Sequence, residues 1–235
     1  MTAARIGTWG AIAGSAAVVI APLGHRIGLL PLGPSFALLA LGFLTLVVGA
    51  LLLIVAALRR RIPPDTDRLA YGALAAAVLV SLFPLSALIS GRAAPPIHDI
   101  TTDTENPPAF VAAVALNEPG RTEYEGQVIA EQQQAAYPDI RPVTLPVDAG
   151  AAFDLALAAV EVLGWEVLET DAAAGRIEAT DRTFWFGFAD DVVIRITDTA
   201  GRRSRVDVRS LSRVGVGDLG ANANRVRHFM AALTE

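Results

Sequence analysis

Residues 81–100 read SLFPLSALISGRAAPPIHDI. Up to Ser90 the run is uncharged and almost wholly apolar. From Gly91 it gives way to Arg92, a Pro95-Pro96 pair and the polar His98-Asp99. This change decides the fold, because three long apolar segments precede it (7–24, 35–58 and 69–90) and an acidic, Lys-free and Cys-free sequence follows. A helix rises about 1.5 Å per residue and a bilayer core is about 30 Å thick, so roughly 20 apolar residues make one crossing. The second and third segments reach that length. The first is shorter, closed by Pro22 and Gly24. A secretory signal peptide competes for it, with Arg5 as the basic flank and 9–21 as the apolar region. Pro22 directly after Ala21 spoils a small-x-small cleavage site, which favours a retained helix.

The arginines orient the chain. The loop after the second segment carries Arg59, Arg60, Arg61 and Arg68, whereas the loop before it has Arg26 alone. Positive charge is retained in the cytoplasm, so the N-terminus is expected there and everything beyond Ser90 on the periplasmic side of a bacterial inner membrane. Residues 1–90 hold six Arg against two acidic residues, a balance of +4. Residues 91–235 hold thirteen Arg against twenty-two Asp and Glu, a balance of −9. An acidic surface argues against nucleic acid, whose phosphates need a positive footprint. Without cysteine there is no disulfide framework, thiol catalysis or thiolate metal site. Gly10 and Gly14, like Gly7 and Ala11, stand four apart, a spacing that lets membrane helices pack backbone to backbone. No ionisable residue interrupts a span, which argues against an ion path.

The expected class is α+β: three transmembrane helices, then an extracytoplasmic two-layer domain with a mainly antiparallel sheet and helices on one face. The expected divisions are a 1–90 anchor, a 91–140 linker, extended or partly helical, that belongs to the soluble domain, and a 141–235 α+β domain. A polar helix is expected within 121–136, ending before Tyr137-Pro138. Strands are expected at 141–147, 165–170 and 176–181, with a helix at 151–163 between the first two. Val192, Ile194 and Ile196 alternate with Val193, Arg195 and Thr197, and Val206 and Val208 with Arg205, Asp207 and Arg209. That is the period of a sheet with one dry face and one wet face. A last helix is expected from about Leu219, with Leu219, Val226, Phe229, Met230 and Leu233 on one side.

Several motifs carry a resemblance. Ile97-His98-Asp99-Ile100-Thr101-Thr102-Asp103, Asn106-Pro107-Pro108-Ala109-Phe110, Tyr137-Pro138-Asp139-Ile140, Ser212-Arg213-Val214-Gly215 and Asp218-Leu219-Gly220-Ala221-Asn222 together resemble Domain of Unknown Function 1499 over about 95–234. The resemblance implies a bacterial, often membrane-anchored family without an assigned activity, and so transfers no catalytic residue.

Three site candidates follow from chemistry. His98, Asp99 and Asp103, with the Thr101 and Thr102 hydroxyls nearby, offer an imidazole and two carboxylates for general acid-base work or a divalent metal. The competing reading is a tight turn in which Asp and Thr bond to backbone. The run 215–220 spells G-x-G-x-x-G, but a dinucleotide site also asks for a following parallel strand and an acidic residue about twenty positions on. Neither follows, so the glycines are expected to make a turn and Asp218 to cap a helix. Phe184-Trp185-Phe186-Gly187-Phe188 is the third. Strand alternation would put Phe184, Phe186 and Phe188 on one face and Trp185 on the other, at a partner surface or the membrane interface.

No cofactor, resident metal, nucleotide or nucleic acid is expected. The favoured function is a binding or assembly module that contacts another envelope protein or membrane complex through the aromatic run or the linker. The alternative is an envelope hydrolase or metal-binding enzyme using His98 with Asp99 and Asp103, which requires those side chains to converge.

Overall fold

Thr2 opens the first helix, its hydroxyl accepting the Arg5 N–H at 3.4 Å. The computed structural model describes residues 2–234 and divides into two units: 2–89 with Phe184–Gly187, and 90–183 with 188–234.

The first unit holds α1 (Ala3–Arg26), α2 (Leu32–Leu58) and most of α3 (Asp67–Ala93), three helices long and apolar enough to cross a membrane. Each extends beyond its predicted span by no more than four residues at either end, since helical geometry continues past the apolar run itself. The glycines of α1 lie against α2. A Cβ on Gly14 would stand 2.3 Å from the Leu46 nitrogen, and one on Gly49 would stand 2.4 Å from the Ala11 nitrogen. Backbones that close exclude any side chain, which is the packing predicted from the four-residue spacing. Leu41, Leu44, Val48 and Leu51 of α2 and Leu79, Leu82, Leu88 and Ile89 of α3 point outward and exposed. Such faces suit hydrocarbon.

The segment 184–187 departs from the predicted alternation. It forms a turn between strands, with Gly187 at φ +69°, so neighbouring aromatics do not simply point to opposite faces. Within the helical unit the Trp185 ring lies 4.4 Å from Phe83 and the Phe186 ring 5.1 Å from Phe36. Phe186 is buried, Trp185 and Phe188 are partly buried, and Phe184 is 72% exposed.

The second unit is an antiparallel sheet built from β1 (Asp99–Thr101), β2 (Val143–Leu145), β3 (Glu166–Asp171), β4 (Arg176–Arg182), β5 (Ala189–Thr199) and β6 (Arg203–Ser212). Its order is β1-β6-β5-β4-β3, with β2 also pairing β6. Three helices complete it: α4 (Gln127–Ala136), α5 (Ala149–Val162) and α6 (Ala221–Thr234). Asp148 caps α5 by accepting the Ala151 N–H at 3.1 Å. Asp218 accepts from Gly220 and Asn222 at 2.8 and 2.7 Å, the predicted capping role. Leu219 is not on the last helix. It precedes α6 at φ +57°, exposed.

Ile177, Ala179, Val192, Ile194, Ile196, Val206 and Val208 face one way and bury against Phe153, Val160, Val226 and Phe229 of α5 and α6. This is the predicted dry face. The opposite face is not wet. Val193, Asp207, Arg209 and Leu211 there are almost fully buried, because the segment 102–126 lies over them. Charged residues in the alternating pattern suggest solvent, but here their charge is neutralised by neighbours instead. The linker also supplies a strand of its own, β1, which the polar sequence Asp99-Ile100-Thr101 does not announce.

Candidate functional site

The covered face is a lattice of paired charges set by register. Across β4, β5, β6 and β1, Glu178 stands opposite Val193, Val193 opposite Arg209, and Arg209 opposite Thr101. One row away, Thr180, Asp191, Leu211 and Asp99 align in the same manner. The Arg209 guanidinium grips Asp99 through Nη2–Oδ2 at 2.7 Å and Nε–Oδ1 at 3.0 Å. It also donates to the Pro108 and Thr122 carbonyls and lies over the Phe110 and Tyr124 rings. Arg213 donates to both Asp191 oxygens and to Thr180, and Asn117 adds a bond to Asp191 at 2.7 Å.

Asp103 lies elsewhere in this lattice. Its Oδ2 receives Arg195 at 3.0 Å and Arg205 at 2.9 Å, while its Oδ1 accepts the Glu105 and Asn106 N–H groups. Arg195 and Arg205 also share Asp207. His98 takes a third direction, its Nε2 3.5 Å from Glu125. The three sequence candidates thus each engage a different partner. No group of three His, Asp or Glu arranged to hold a metal occurs among the described residues.

Burial, aided by the Arg121 charge, lowers the His98 pKa and favours the neutral imidazole. Burial raises Asp99, opposed by the hydrogen bond and charge of Arg209. The Tyr124 hydroxyl is pushed up to about 12 by burial and by Asp99, and has no hydrogen-bond partner among the described residues.

Glu178 has no distinguishing sequence signal of its own. This fully buried carboxylate accepts the Val111, Ala112 and Ala113 N–H groups at 2.8, 3.2 and 3.0 Å and lies 3.1 Å from Arg176 Nε. It anchors a 3-10 turn, Ala112–Leu116, to the sheet. Val111, Val114 and Leu116 project from that turn, each about half exposed. The signal was present in Val111, Val114 and Leu116 as aliphatics in a polar linker, but their fixed presentation depends on a residue over sixty positions away. An open groove of about 440 Å³ also lies beside α4, lined by Thr102, Thr104, Gln133, Gln134, Tyr137 and Arg141 among others. The amides of Gln133 and Gln134 are engaged with Thr101 and Thr104.

The motif residues are therefore mostly joinery. Asn222 ties the His98 carbonyl to Ser210 and Ser212, and Arg227 clasps Asp139 while lying over Tyr137. The family model described as Protein of unknown function (DUF1499) matches residues 99–233. Comparison with curated proteins gives no match.

Proposed function

This chain belongs to the family described as Protein of unknown function (DUF1499), and we propose that it is a membrane-anchored binding or assembly module of the bacterial inner membrane. In this reading its N-terminus is cytoplasmic and its sheet domain stands in the periplasm, engaging another envelope or membrane-complex protein. The supporting observation is the Val111, Val114 and Leu116 ridge, whose backbone Glu178 holds in one conformation. Aliphatic side chains displayed on a fixed backbone lose little entropy on docking. The aromatic run keeps a part in this reading through Phe184, the most exposed of Phe184, Trp185, Phe186 and Phe188. The alternative, a hydrolase or metal-binding enzyme using His98 with Asp99 and Asp103, gains less support, since both carboxylates already satisfy arginines.

The test is a photo-crosslinking amino acid at Val114 in the full chain in native membranes. A discrete adduct with one other protein, absent from the same label at Ala200 and diminished by Val111→Ser with Leu116→Ser, is the expected result. An equal yield at both positions, or none at either, counts against the module.

A further inference from the structure

We propose that the loop 214–219 is inserted into the interfacial layer of the bilayer, as a wedge beside the point where α3 leaves it. The loop carries Val214, Val216 and Leu219, all exposed, with Val216 at 81%. Val214 and Leu219 are each about half exposed, yet the loop is not slack. Arg121 donates to the Ser212 carbonyl at 2.8 Å and the Gly215 carbonyl at 2.6 Å, and Asp218 fixes the other end by capping α6.

The loop is built against the segment that follows the apolar part of α3. A Cβ on Gly91, in the last turn of α3, would lie 2.8 Å from Leu219 Cδ2. A Cβ on Gly217 would lie 3.3 Å from Pro96 Cα, and the Asp218 N–H donates to the Ile97 carbonyl at 3.3 Å. The loop is therefore stitched along 91–97, the stretch that emerges from the third membrane-spanning helix. Gly91 comes two residues after Ile89, the last large apolar residue of that helix. A side chain resting on Gly91 sits at headgroup depth if α3 crosses the bilayer. Leu219 pays for this place with a left-handed backbone, φ +57°, where glycine would be free of strain. That a leucine occupies it points to a use for the side chain. The three aliphatics would dip below the headgroups and set the depth of the domain's lower rim.

The chain has no cysteine, so single-cysteine spin labels report without background. Full-length Val216→Cys and Ala200→Cys, nitroxide-labelled in phosphatidylcholine–phosphatidylglycerol nanodiscs, are compared by power saturation. Ala200 lies in the turn at the opposite end of β6, a strand about 30 Å long at 3.3 Å per residue. The label at 216 should collide with oxygen more than with a water-soluble nickel chelate, and the label at 200 should show the reverse. Equal nickel access at both sites overturns the proposal. Shielding of 216 from both reagents also overturns it, because that identifies a protein neighbour. Val216 is a surface residue, so the substitution leaves the fold intact, and thermal unfolding of the labelled chain verifies this.

Discussion

Asp99 and Arg209, 110 residues apart, form a bidentate ion pair between β1 and β6 in which both side chains are almost fully buried. Arg209 also holds the carbonyls of Pro108 and Thr122, so one guanidinium joins the strand to two points of the segment above it. Removing one partner leaves an uncompensated buried charge, which costs about 3–5 kcal/mol. Arg209→Met should therefore lower the thermal unfolding temperature sharply. Asp99→Leu added to it should recover part of the loss, because an apolar pair of similar size carries no stranded charge. Unfolding followed by Trp165 fluorescence, with Trp9 and Trp185 replaced by Phe in every chain compared, would check both, and a double variant no better than the single would contradict the pairing.

Glu178→Gln keeps the shape but removes the charge beneath the 3-10 turn. Weakened bonds to three N–H groups and a lost Arg176 partner should cost roughly 3 kcal/mol. Hydrogen exchange should rise first at Val111, Ala112 and Ala113, and the crosslink from Val114 should weaken with it.

Acidification acts through His98. Its folded pKa lies below the ordinary 6.5, so the unfolded chain binds a proton that the folded chain refuses. The stability contribution is full above 6.5 and is lost as pH falls from there through the lowered value. Asp99 and Asp190 run oppositely: burial raises them above 3.8, and stability is lost as pH climbs through their raised values. Unfolding free energy measured from pH 7 to 5 should thus decline less steeply in His98→Gln than in the parent.

Gly49→Leu should separate α1 from α2. The added side chain meets the Ala11 nitrogen and the Gly10 carbonyl carbon, backbone atoms that can move only with their helix. Overpacking of this kind costs about 1–3 kcal/mol or more. Heat-induced aggregation in mild detergent should begin at lower temperature than for Gly33→Leu, whose Cβ would meet nothing.

The proposed orientation is open to a membrane-impermeant maleimide. In spheroplasts Ala200→Cys should label at once, and Arg61→Cys only after permeabilisation. The reverse pattern would invert the assignment.

The sequence made the membrane helices, the α1 glycine face and the dry face of the sheet legible, because each repeats with a period of its own. The succession of strands and helices along the chain after residue 141 also follows from periodicity. What stayed hidden depends on distant partners. Arg209 reads as a solvent residue until Asp99 is brought beside it, and Phe184-Trp185-Phe186 reads as a strand until Gly187 turns it. At the candidate site, proximity in sequence suggested that His98, Asp99 and Asp103 act together, while tertiary pairing gives each its own companion.

Gln133 also covers part of a strand edge. Its amide accepts from the Thr101 N–H at 2.9 Å and donates to the Thr101 carbonyl at 2.6 Å, the two bonds a neighbouring strand would make. At the far edge, β3 is bulged between Val167 and Glu169 and carries Glu166, Glu169 and Asp171. Copies confined to a membrane meet side by side at high local concentration, where exposed strand edges recruit one another into fibrils. A glutamine imitating a peptide group beside β1, and a kinked acidic strand at the far edge, each take away part of the template such encounters need.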